Sequence, residues 1–320
     1  MMNSLKEIAD TIAKYNQVVI CGHIDPDGDC LGSMLALGTA LKKQGKKVRL
    51  VLERTLPDNL SPLEEDWDYC YTDDFVFEPE DQLLIVLDSG ALDRIPELPP
   101  HKLPIINIDH HMSNTFFGDY NYVDERAAAA GEIVYLLLEE MGIEIDQKIG
   151  YYIAVSIISD TGCFRYSNTN PRILRLMADL LEMGIDTASI YKDFLASHPL
   201  RKIRLRGLVY SRMKTAFDGR VAWVVIDQEM LKEAGATVDD TGSISSELRD
   251  IKGVEVGVSI LEREPGLIQL GLRSNDYVPV NEVAMIFGGG GHLRAAGARV
   301  RGDLEEISKK VLQKIGEYLE

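Results

Sequence analysis

The sequence predicts an α/β protein: a doubly wound, mainly parallel sheet, joined by a helical linker to a smaller α/β domain with a mixed sheet. Over roughly the first 185 residues, short aliphatic runs alternate with amphipathic stretches, which is typical of parallel strands connected by helices. After residue 220, strand-like runs follow one another across a tight-turn sequence, as antiparallel strands do. The 320 residues are enough for two domains that each bury a core.

The elements of the first domain follow from hydrophobic spacing. Three amphipathic stretches are predicted helices: residues 5–12, 31–43 and 127–141. Four aliphatic runs are predicted strands: residues 17–21, 47–52, 83–87 and 104–108. The run at 148–159 is mainly apolar, so periodicity does not distinguish a buried helix from a buried strand.

Changes in composition set the expected domain boundaries. We predict a first domain at 1–185, a helical linker at 186–215 and a second domain at 216–320, in which Glu264-Pro265-Gly266 connects two strands. The linker carries a basic run, RKIRLR, at 201–206. Such a run is more often a solvated helix face than a guide for an oligonucleotide.

Charge and cysteine content limit the possible functions. The 34 basic and 51 acidic residues give a net charge of −17, which argues against a protein that coats long duplex nucleic acid. An anionic substrate remains possible, because bound cations reverse the local field. The charged N-terminus and the lack of an 18-residue apolar run predict no export and no membrane association. Four scattered cysteines suit the reducing cytoplasm. Cys21, Cys30 and Cys163 lie close to the motifs below, and we expect them to be small buried side chains rather than metal ligands.

The first candidate site directly follows the strand at 17–21. Its sequence, GHIDPDGD at 22–29, places His23, Asp27 and Asp29 at a strand end, where open α/β sheets bind ligands. Carboxylates crowded together repel one another unless a cation neutralises them. Histidine and aspartate without thiolate suit Mn²⁺, Mg²⁺, Zn²⁺ or Fe²⁺. The alternative is an Asx-rich turn that caps the following helix.

Three further acidic motifs follow apolar runs. Asp88 ends the run LLIVLD, where it is either a ligand or a helix cap. In INIDHH, one histidine could bind metal while Asp109 orients an imidazole and the other histidine faces the substrate. Asp160 begins DTGCFR, whose Arg165 could reach a phosphate.

Taken together, these motifs predict a metal centre. They offer two histidines and four aspartates as ligands: His23, Asp27, Asp29, Asp88, His110 and Asp160. That set is about what two cations roughly 3.5–4 Å apart require when they share a carboxylate. Such a pair of cations activates water at neutral pH and stabilises phosphoryl displacement.

A glycine-rich motif in the second domain predicts an anion site. In FGGGGHLR at 287–294, the glycines let a backbone approach an anion closely, and His292 and Arg294 add donors. Arg273 and Ser274, in GLRS at 271–274, could supply further donors. The alternative is a flexible turn.

These motifs, in this order, resemble the DHH phosphoesterase family, and the sequence is most similar to its short, two-domain NrnA-like members. Those members are bifunctional oligoribonucleases and pAp phosphatases. The motif at Gly288–His292 resembles the signature of the family's DHHA1 substrate-binding domain, so the resemblance spans nearly the whole chain. Two departures are visible: Cys30 stands where a small residue is expected, and Phe287 precedes four glycines rather than three.

The resemblance implies specific roles. His23, Asp27 and Asp88 would hold one Mn²⁺, and a second would lie on Asp29, Asp88, His110 and Asp160, with Asp88 bridging. His111 would face the scissile phosphate beside Asp109. The terminal nucleotide would be bound across the interdomain cleft by residues of the second domain: Arg273, Gly289, Gly290, Gly291 and His292. Mg²⁺ or Co²⁺ could replace Mn²⁺, and the resemblance suggests a homodimer.

The sequence therefore predicts a cytoplasmic, manganese-dependent phosphodiesterase. It would degrade short single-stranded RNA and linear dinucleotides such as pApA to nucleoside monophosphates through metal-activated hydroxide, and could also dephosphorylate pAp. Two alternatives stay open: an inorganic pyrophosphatase, although the Ser-Arg-Lys-Lys signature of that group is missing, and a nucleotide-binding regulator without catalysis.

Overall fold

The computed structural model describes residues 2–56, 58–78, 81–99 and 102–319. The chain divides into two compact units, residues 1–197 and 198–320. Within the described ranges no helix combines the length and apolar character needed to cross a membrane. His101, for which the sequence predicts a loop position, lies outside the described residues.

The sheet of the first unit is parallel throughout, as the alternating pattern predicts. Its strands lie in the order β3-β2-β1-β4-β5-β6. Their bounds are β1 Gln17–Cys21, β2 Lys47–Leu52, β3 Cys70–Tyr71, β4 Gln82–Leu87, β5 Ile105–Asp109 and β6 Tyr120–Val123. The strand order reverses between β1 and β4, and a crevice opens at such a point beyond the carboxyl ends of the strands.

Helices cover one face of this sheet. They are α1 Leu5–Ala13, α2 Gly28–Lys43, α3 Ala130–Glu140, α4 Gln147–Asp160, α5 Pro171–Glu182 and α6 Thr187–Ile190. The apolar run at 148–159 is therefore a buried helix, which packs closely against α2. A Cβ atom at Gly32 would lie 2.6 Å from the Tyr152 carbonyl oxygen, so the approach of α2 to α4 depends on this glycine.

The second unit has a mixed sheet, as predicted, in the order β11-β12-β10-β9-β8-β7. Only β8 and β9 pair in parallel among its described strands. Its strands are β7 Lys214–Ala216, β8 Val221–Ile226, β9 Val256–Glu264, β10 Leu267–Ser274, β11 Gly290–His292 and β12 Ala295–Arg301. Its helices are α7 Leu200–Arg212, α8 Gln228–Ala234, α9 Ile244–Arg249, α10 Val280–Ile286 and α11 Leu304–Gly316.

The basic run at 201–206 lies on α7, and two of its arginines form ion pairs with carboxylates of the second unit. Arg201 Nε donates to Asp240 Oδ2 at 2.9 Å, and Arg206 Nη2 donates to Glu247 Oε1 at 2.6 Å. Burial raises the pKa of both carboxyl groups, but hydrogen bonds outweigh it and lower the pKa: those from Thr237 and Arg201 at Asp240, and chiefly that from Arg206 at Glu247. Both arginines therefore have carboxylate partners within their own unit, and this agrees with the structural interpretation of the run.

Candidate metal centre and anion-binding loop

Asp88 lies at the centre of a cluster of imidazoles at the carboxyl ends of β1, β4 and β5. Its Oδ2 is 3.6 Å from His23 Nε2, and its Oδ1 is 3.3 Å from His110 Nε2 and 3.6 Å from His111 Nδ1. His23 follows β1, Asp88 follows β4, and both other histidines follow β5. The parallel sheet therefore brings together side chains that are more than 80 residues apart in the sequence.

The backbone of Asp88 adopts a conformation that is rare for a residue with a side chain. Its φ is +53°, in the left-handed region, and its N–H donates to the Ile108 carbonyl oxygen at 3.0 Å. The side chain is only 4 % exposed, and Oδ1 accepts no hydrogen bond from the described residues. A buried carboxylate oxygen without a donor is costly, and a bound cation would satisfy it. Strained backbone of this kind is typical of functional sites.

Asp29 and Asp160 approach the same cluster from the helices. Asp29 Oδ2 lies 3.4 Å from His110 Nε2, and Asp160 Oδ2 lies 3.9 Å from the same nitrogen. The N-terminus of α3 fixes Asp29, because the amides of Ala130 and Gly131 donate to its carboxylate at 2.9 and 3.2 Å. A group of ligand atoms from Asp29, His110 and Asp160 therefore lies within 4.8 Å, which suits one divalent ion.

Asp27 lies slightly further from His23 than Asp88 does, and it also caps a helix. Its Oδ1 caps α2 by accepting from the amides of Asp29 and Cys30 at 2.9 and 3.0 Å, and it is 3.9 Å from His23 Nε2. Both interpretations of this residue therefore remain compatible with the structure. The neighbouring Asp25 instead forms an ion pair with Arg54 at 2.5 Å.

The carboxylates of the cluster favour positive charge on its imidazoles. Burial disfavours a charged His23, but the carboxylates of Asp27 and Asp88 outweigh burial and raise its pKa to about 10. Burial raises the pKa of Asp160 to about 7. The pKa of Asp88 is lowered, because His110 and His23 outweigh its burial. In the metal-free state protons occupy positions at which divalent cations would compete with them.

A second set of contacts orients His111. Its Nδ1 lies 2.6 Å from Oδ1 of Asp109, whose Oδ2 accepts a hydrogen bond from Asn114 Nδ2 at 2.6 Å. Asp109 is fully buried, so the imidazole is held by a rigid partner. This contact favours the tautomer that carries its proton on Nδ1.

In the second unit, the glycines of the predicted loop are not equivalent. A Cβ atom at Gly289 would lie 2.1 Å from the Gly297 carbonyl oxygen, and one at Gly291 would lie 2.5 Å from the Ala295 carbonyl oxygen. No described residue lies within 4 Å of the corresponding position at Gly290. Strand packing therefore requires glycine at Gly289 and Gly291, whereas Gly290 borders open space that a ligand can occupy.

The remaining predicted substrate residues fall into two groups. Arg273 and His292 both lie opposite Ala295 on β12, so their side chains share one face of the sheet. Ser274 and Arg294 are engaged in the fold: the Ser274 hydroxyl and Arg294 Nη1 both donate to the Val278 carbonyl oxygen, at 2.7 and 3.0 Å. Arg165, in the first unit, donates from Nε to the Gly162 carbonyl oxygen at 2.8 Å.

Sequence reasoning missed three residues that support the predicted site, two of them at predicted ligands and one at Asp109. Ser156 Oγ donates to Asp29 Oδ1, Asn168 Nδ2 donates to Asp160 Oδ2 at 3.1 Å, and Asn114 holds Asp109. Ser156 could have been found, because it interrupts a run of otherwise apolar residues at 149–158. The two asparagines lie in loops, where polar residues give no comparable signal.

The chain belongs to the DHH family of phosphoesterases, as matches to two family models and a relative 34% identical over 94% of the chain show; enzymes of this family are hydrolases. Residues 17–161 match the model of the DHH family N-terminal domain, and residues 218–317 match that of the DHHA1 domain. Both family domains predicted from the motifs are thus confirmed.

Relatives match over nearly their whole length. A bifunctional oligoribonuclease and PAP phosphatase NrnA from Thermus thermophilus is 34% identical over 303 residues, covering 94% of this chain and 90% of that protein. The protein of the same name from Bacillus subtilis is 28% identical, covering 95% and 98%. The crystal structure of an exopolyphosphatase-related protein from Bacteroides fragilis superposes with a TM-score of 0.91 at 28% identity, covering 98% of this chain and 96% of that one.

Proposed function

We propose that the protein is a Mn²⁺-dependent phosphodiesterase that degrades short oligoribonucleotides and linear dinucleotides such as pApA to nucleoside monophosphates, and that it also dephosphorylates pAp. The observation that carries the proposal is Asp88, whose carboxylate lies among three imidazoles and whose buried Oδ1 accepts no hydrogen bond from the described residues. The two NrnA relatives, which match along the whole chain, support the substrate class through their names.

The donor set supports two divalent ions. In the proposed assignment, one ion lies on His23, Asp27 and Asp88, and the other on Asp29, Asp88, His110 and Asp160. Imidazole nitrogens and carboxylate oxygens suit Mn²⁺, and Mg²⁺ or Co²⁺ are alternatives. When bound, such ions activate water and neutralise charge that develops on a phosphoryl group.

The chain's own residues would orient the phosphodiester and transfer protons. His111 would face the scissile phosphate, where it donates a hydrogen bond or a proton to the leaving oxygen. Asp109 would hold the His111 ring and stabilise its charged form, because the contact between Oδ1 and Nδ1 is 2.6 Å long. Burial lowers the pKa of His111, but Asp109 and Asp88 outweigh it and raise the pKa, which favours a role as proton donor.

The second unit would bind the end of the substrate. Arg273 and His292 share a sheet face, and Gly290 offers backbone next to open space, so an anionic phosphate can be held there. A site that binds one terminal phosphate favours short substrates. The net charge of −17 also disfavours long nucleic acid. We further propose a homodimer, and a cytoplasmic location that suits the four free cysteines.

One assay tests this proposal. Purified full-length protein with Mn²⁺ is offered pApA, a 5-mer RNA, a 24-mer RNA, pAp and pyrophosphate, and the products are separated by chromatography. We expect AMP from pApA and pAp, mononucleotides from the 5-mer, and slow turnover of the 24-mer. Consumption of pyrophosphate alone would replace the proposal with the pyrophosphatase alternative. Nucleotide binding without turnover would favour a regulator.

A further inference from the structure

Three consecutive residues shortly after Asp160 adopt the left-handed backbone conformation. The φ angles of residues 162–164 are +54°, +57° and +65°. Residues with side chains rarely adopt this conformation, and then usually singly, so a run of this kind is costly. The Thr161 carbonyl oxygen closes the turn by accepting from the amides of Arg165 and Tyr166 at 3.0 and 3.1 Å. The chain therefore reverses sharply at the end of α4.

This left-handed turn places Tyr166 on the surface beside the proposed metal centre. Cys163 and Phe164 are half-buried and pack against the core of the first unit, whereas Tyr166 is 43% exposed. The Tyr166 ring lies against Gly162, because a Cβ atom there would be 2.5 Å from its Cε2 and Cζ atoms. Gly162 follows Asp160 by two residues, so their Cα atoms are no more than about 7.6 Å apart. The ring is thus within reach of a nucleoside whose phosphate lies at the metal centre.

Contacts with Arg165 and Gly162 hold the Tyr166 ring in place. Arg165 donates from Nε to the Gly162 carbonyl oxygen at 2.8 Å, and its guanidinium carbon lies 5.8 Å from the centroid of the Tyr166 ring. A cation at this distance is attracted to an aromatic ring. A ring that is already ordered loses little conformational freedom when a ligand binds it. Tyr166 is therefore an exposed aromatic surface that is fixed before the substrate arrives.

We propose that Tyr166 stacks on a nucleobase next to the scissile phosphate and thereby selects nucleotide substrates. The inference rests on the proposed function, which supplies a substrate with a base on either side of that phosphate. Stacking on an aromatic side chain tolerates every base, because each base has a π-face. The contact would favour oligonucleotides of any sequence, whereas pyrophosphate, which has no ring, would gain nothing from it.

Binding measurements with base-free analogues test this proposal. We titrate full-length protein with pApA and with two analogues, each carrying hydrogen in place of one adenine. Ca²⁺ replaces Mn²⁺, so that the calorimetric readout does not require turnover. In the unmodified protein, removing the stacked adenine should weaken binding about 5–100-fold, as expected for one stacked base.

Variants of Tyr166 show whether this loss belongs to the ring. In Tyr166→Leu and Tyr166→Met, which fill the space next to Gly162 without an aromatic ring, pApA should bind about 5–100-fold more weakly. The analogue without the stacked adenine should lose nothing further, because its contact is already absent. Tyr166→Phe should behave like the unmodified protein. Tyr191→Leu is the matched control and should bind pApA normally, because Tyr191 is also 43% exposed and follows α6.

The outcomes separate the stacking contact from the proposed function. Equal binding of pApA and both analogues to the unmodified protein would overturn the contact, whatever the variants do. Equal weakening of all three ligands in Tyr166→Leu, or unchanged binding of pApA, would also overturn it. If binding depends on adenine and on Tyr166 but Mn²⁺ supports no hydrolysis of pApA, the contact stands and the proposed function fails. No binding of pApA would overturn both. Circular dichroism and Mn²⁺ titration show that each variant is folded and keeps its metal centre.

Discussion

Ser156 donates its hydroxyl proton to Asp29 across 2.5 Å, and the same oxygen accepts the amide hydrogen of Gly131 at 2.9 Å. One buried hydroxyl thus connects α4, the start of α3 and a predicted ligand carried by α2. Gly131 permits the contact, since a Cβ atom there would lie 2.1 Å from Ser156 Oγ. The position of Asp29 is therefore set by helix packing rather than by a flexible loop.

Replacing Ser156 with alanine should weaken metal binding. The change removes a hydrogen bond to a charged group and leaves the Gly131 amide without this acceptor, a loss of about 1.5–3 kcal/mol in the free energy of unfolding. We expect the affinity for one of two Mn²⁺ ions to fall about 10–100-fold, measured by calorimetric titration. Ser33→Ala is the control, because the buried Ser33 hydroxyl donates to the Cys30 carbonyl oxygen. Equal Mn²⁺ affinity in the two variants would show that Ser156 does not position a ligand.

Asp109→Asn should reduce turnover and leave metal binding intact. An amide at this position can present its N–H₂ group to His111 Nδ1 and favour the opposite tautomer, so we expect kcat for pApA to fall about 10²–10⁴-fold. KM for pApA and Mn²⁺ affinity, measured on the same preparation, should change little. Loss of Mn²⁺ binding would instead make Asp109 a metal ligand.

The metal-free protein should become less stable as pH rises from about 6 to about 9. The pKa of His23 is raised from 6.5 to about 10, so its stabilising protonation is complete below pH 6.5 and is lost as pH rises towards 10. Asp160, whose pKa is raised from 3.8 to about 7, binds more protons folded than unfolded between those values. Loss of the proton from either group therefore lowers the free energy of unfolding as pH rises.

Thermal melts over this pH range check the prediction. In EDTA the melting temperature should fall as pH rises, and Asp160→Asn should reduce the slope between about pH 6 and about pH 7 because its side chain does not ionise. With saturating Mn²⁺ the fall should disappear, because deprotonated ligands bind metal more tightly. A metal-free protein that becomes more stable towards pH 9 would contradict the charge arrangement of the cluster.

Two neighbouring glycines should respond differently to alanine. Gly289→Ala forces a Cβ atom into the Gly297 carbonyl oxygen and should lower the free energy of unfolding by more than about 2 kcal/mol. Gly290→Ala meets nothing within 4 Å, so its stability should be unchanged, whereas KM for pApA should rise several-fold as the substrate loses close backbone contact. Denaturant unfolding and steady-state kinetics separate the two effects. Unchanged kinetics in Gly290→Ala would remove this loop from substrate binding.

The sequence predicts the strands well, because hydrophobic runs are local signals, and its strand-end motifs predict which aspartates and histidines lie close together. β1 and β2 have the predicted bounds, and Asp88 and His110 lie where parallel strands must bring them together. The run at 148–159 could not be assigned, since a helix buried on all sides shows no periodicity. The short strands β3 and β6 lack strong patterns and depend on pairing with neighbours formed elsewhere in the chain.

The detail of the site depends on tertiary contacts that no local pattern reveals. Asp88 has a left-handed backbone where its amide donates to the Ile108 carbonyl oxygen on a neighbouring strand. The hydrogen bond between Ser156 and Asp29 joins residues 127 positions apart.

The most direct test of the central claim is AMP release from pApA by metal-stripped protein as Mn²⁺ is added back, with Asp88→Asn measured beside the unmodified chain. We predict that the rate is negligible in EDTA, rises with Mn²⁺ until two ions are bound per chain, and remains at the EDTA level in Asp88→Asn. A rate that does not depend on Mn²⁺, or an Asp88→Asn variant that turns over pApA normally, would contradict a two-ion centre built on Asp88.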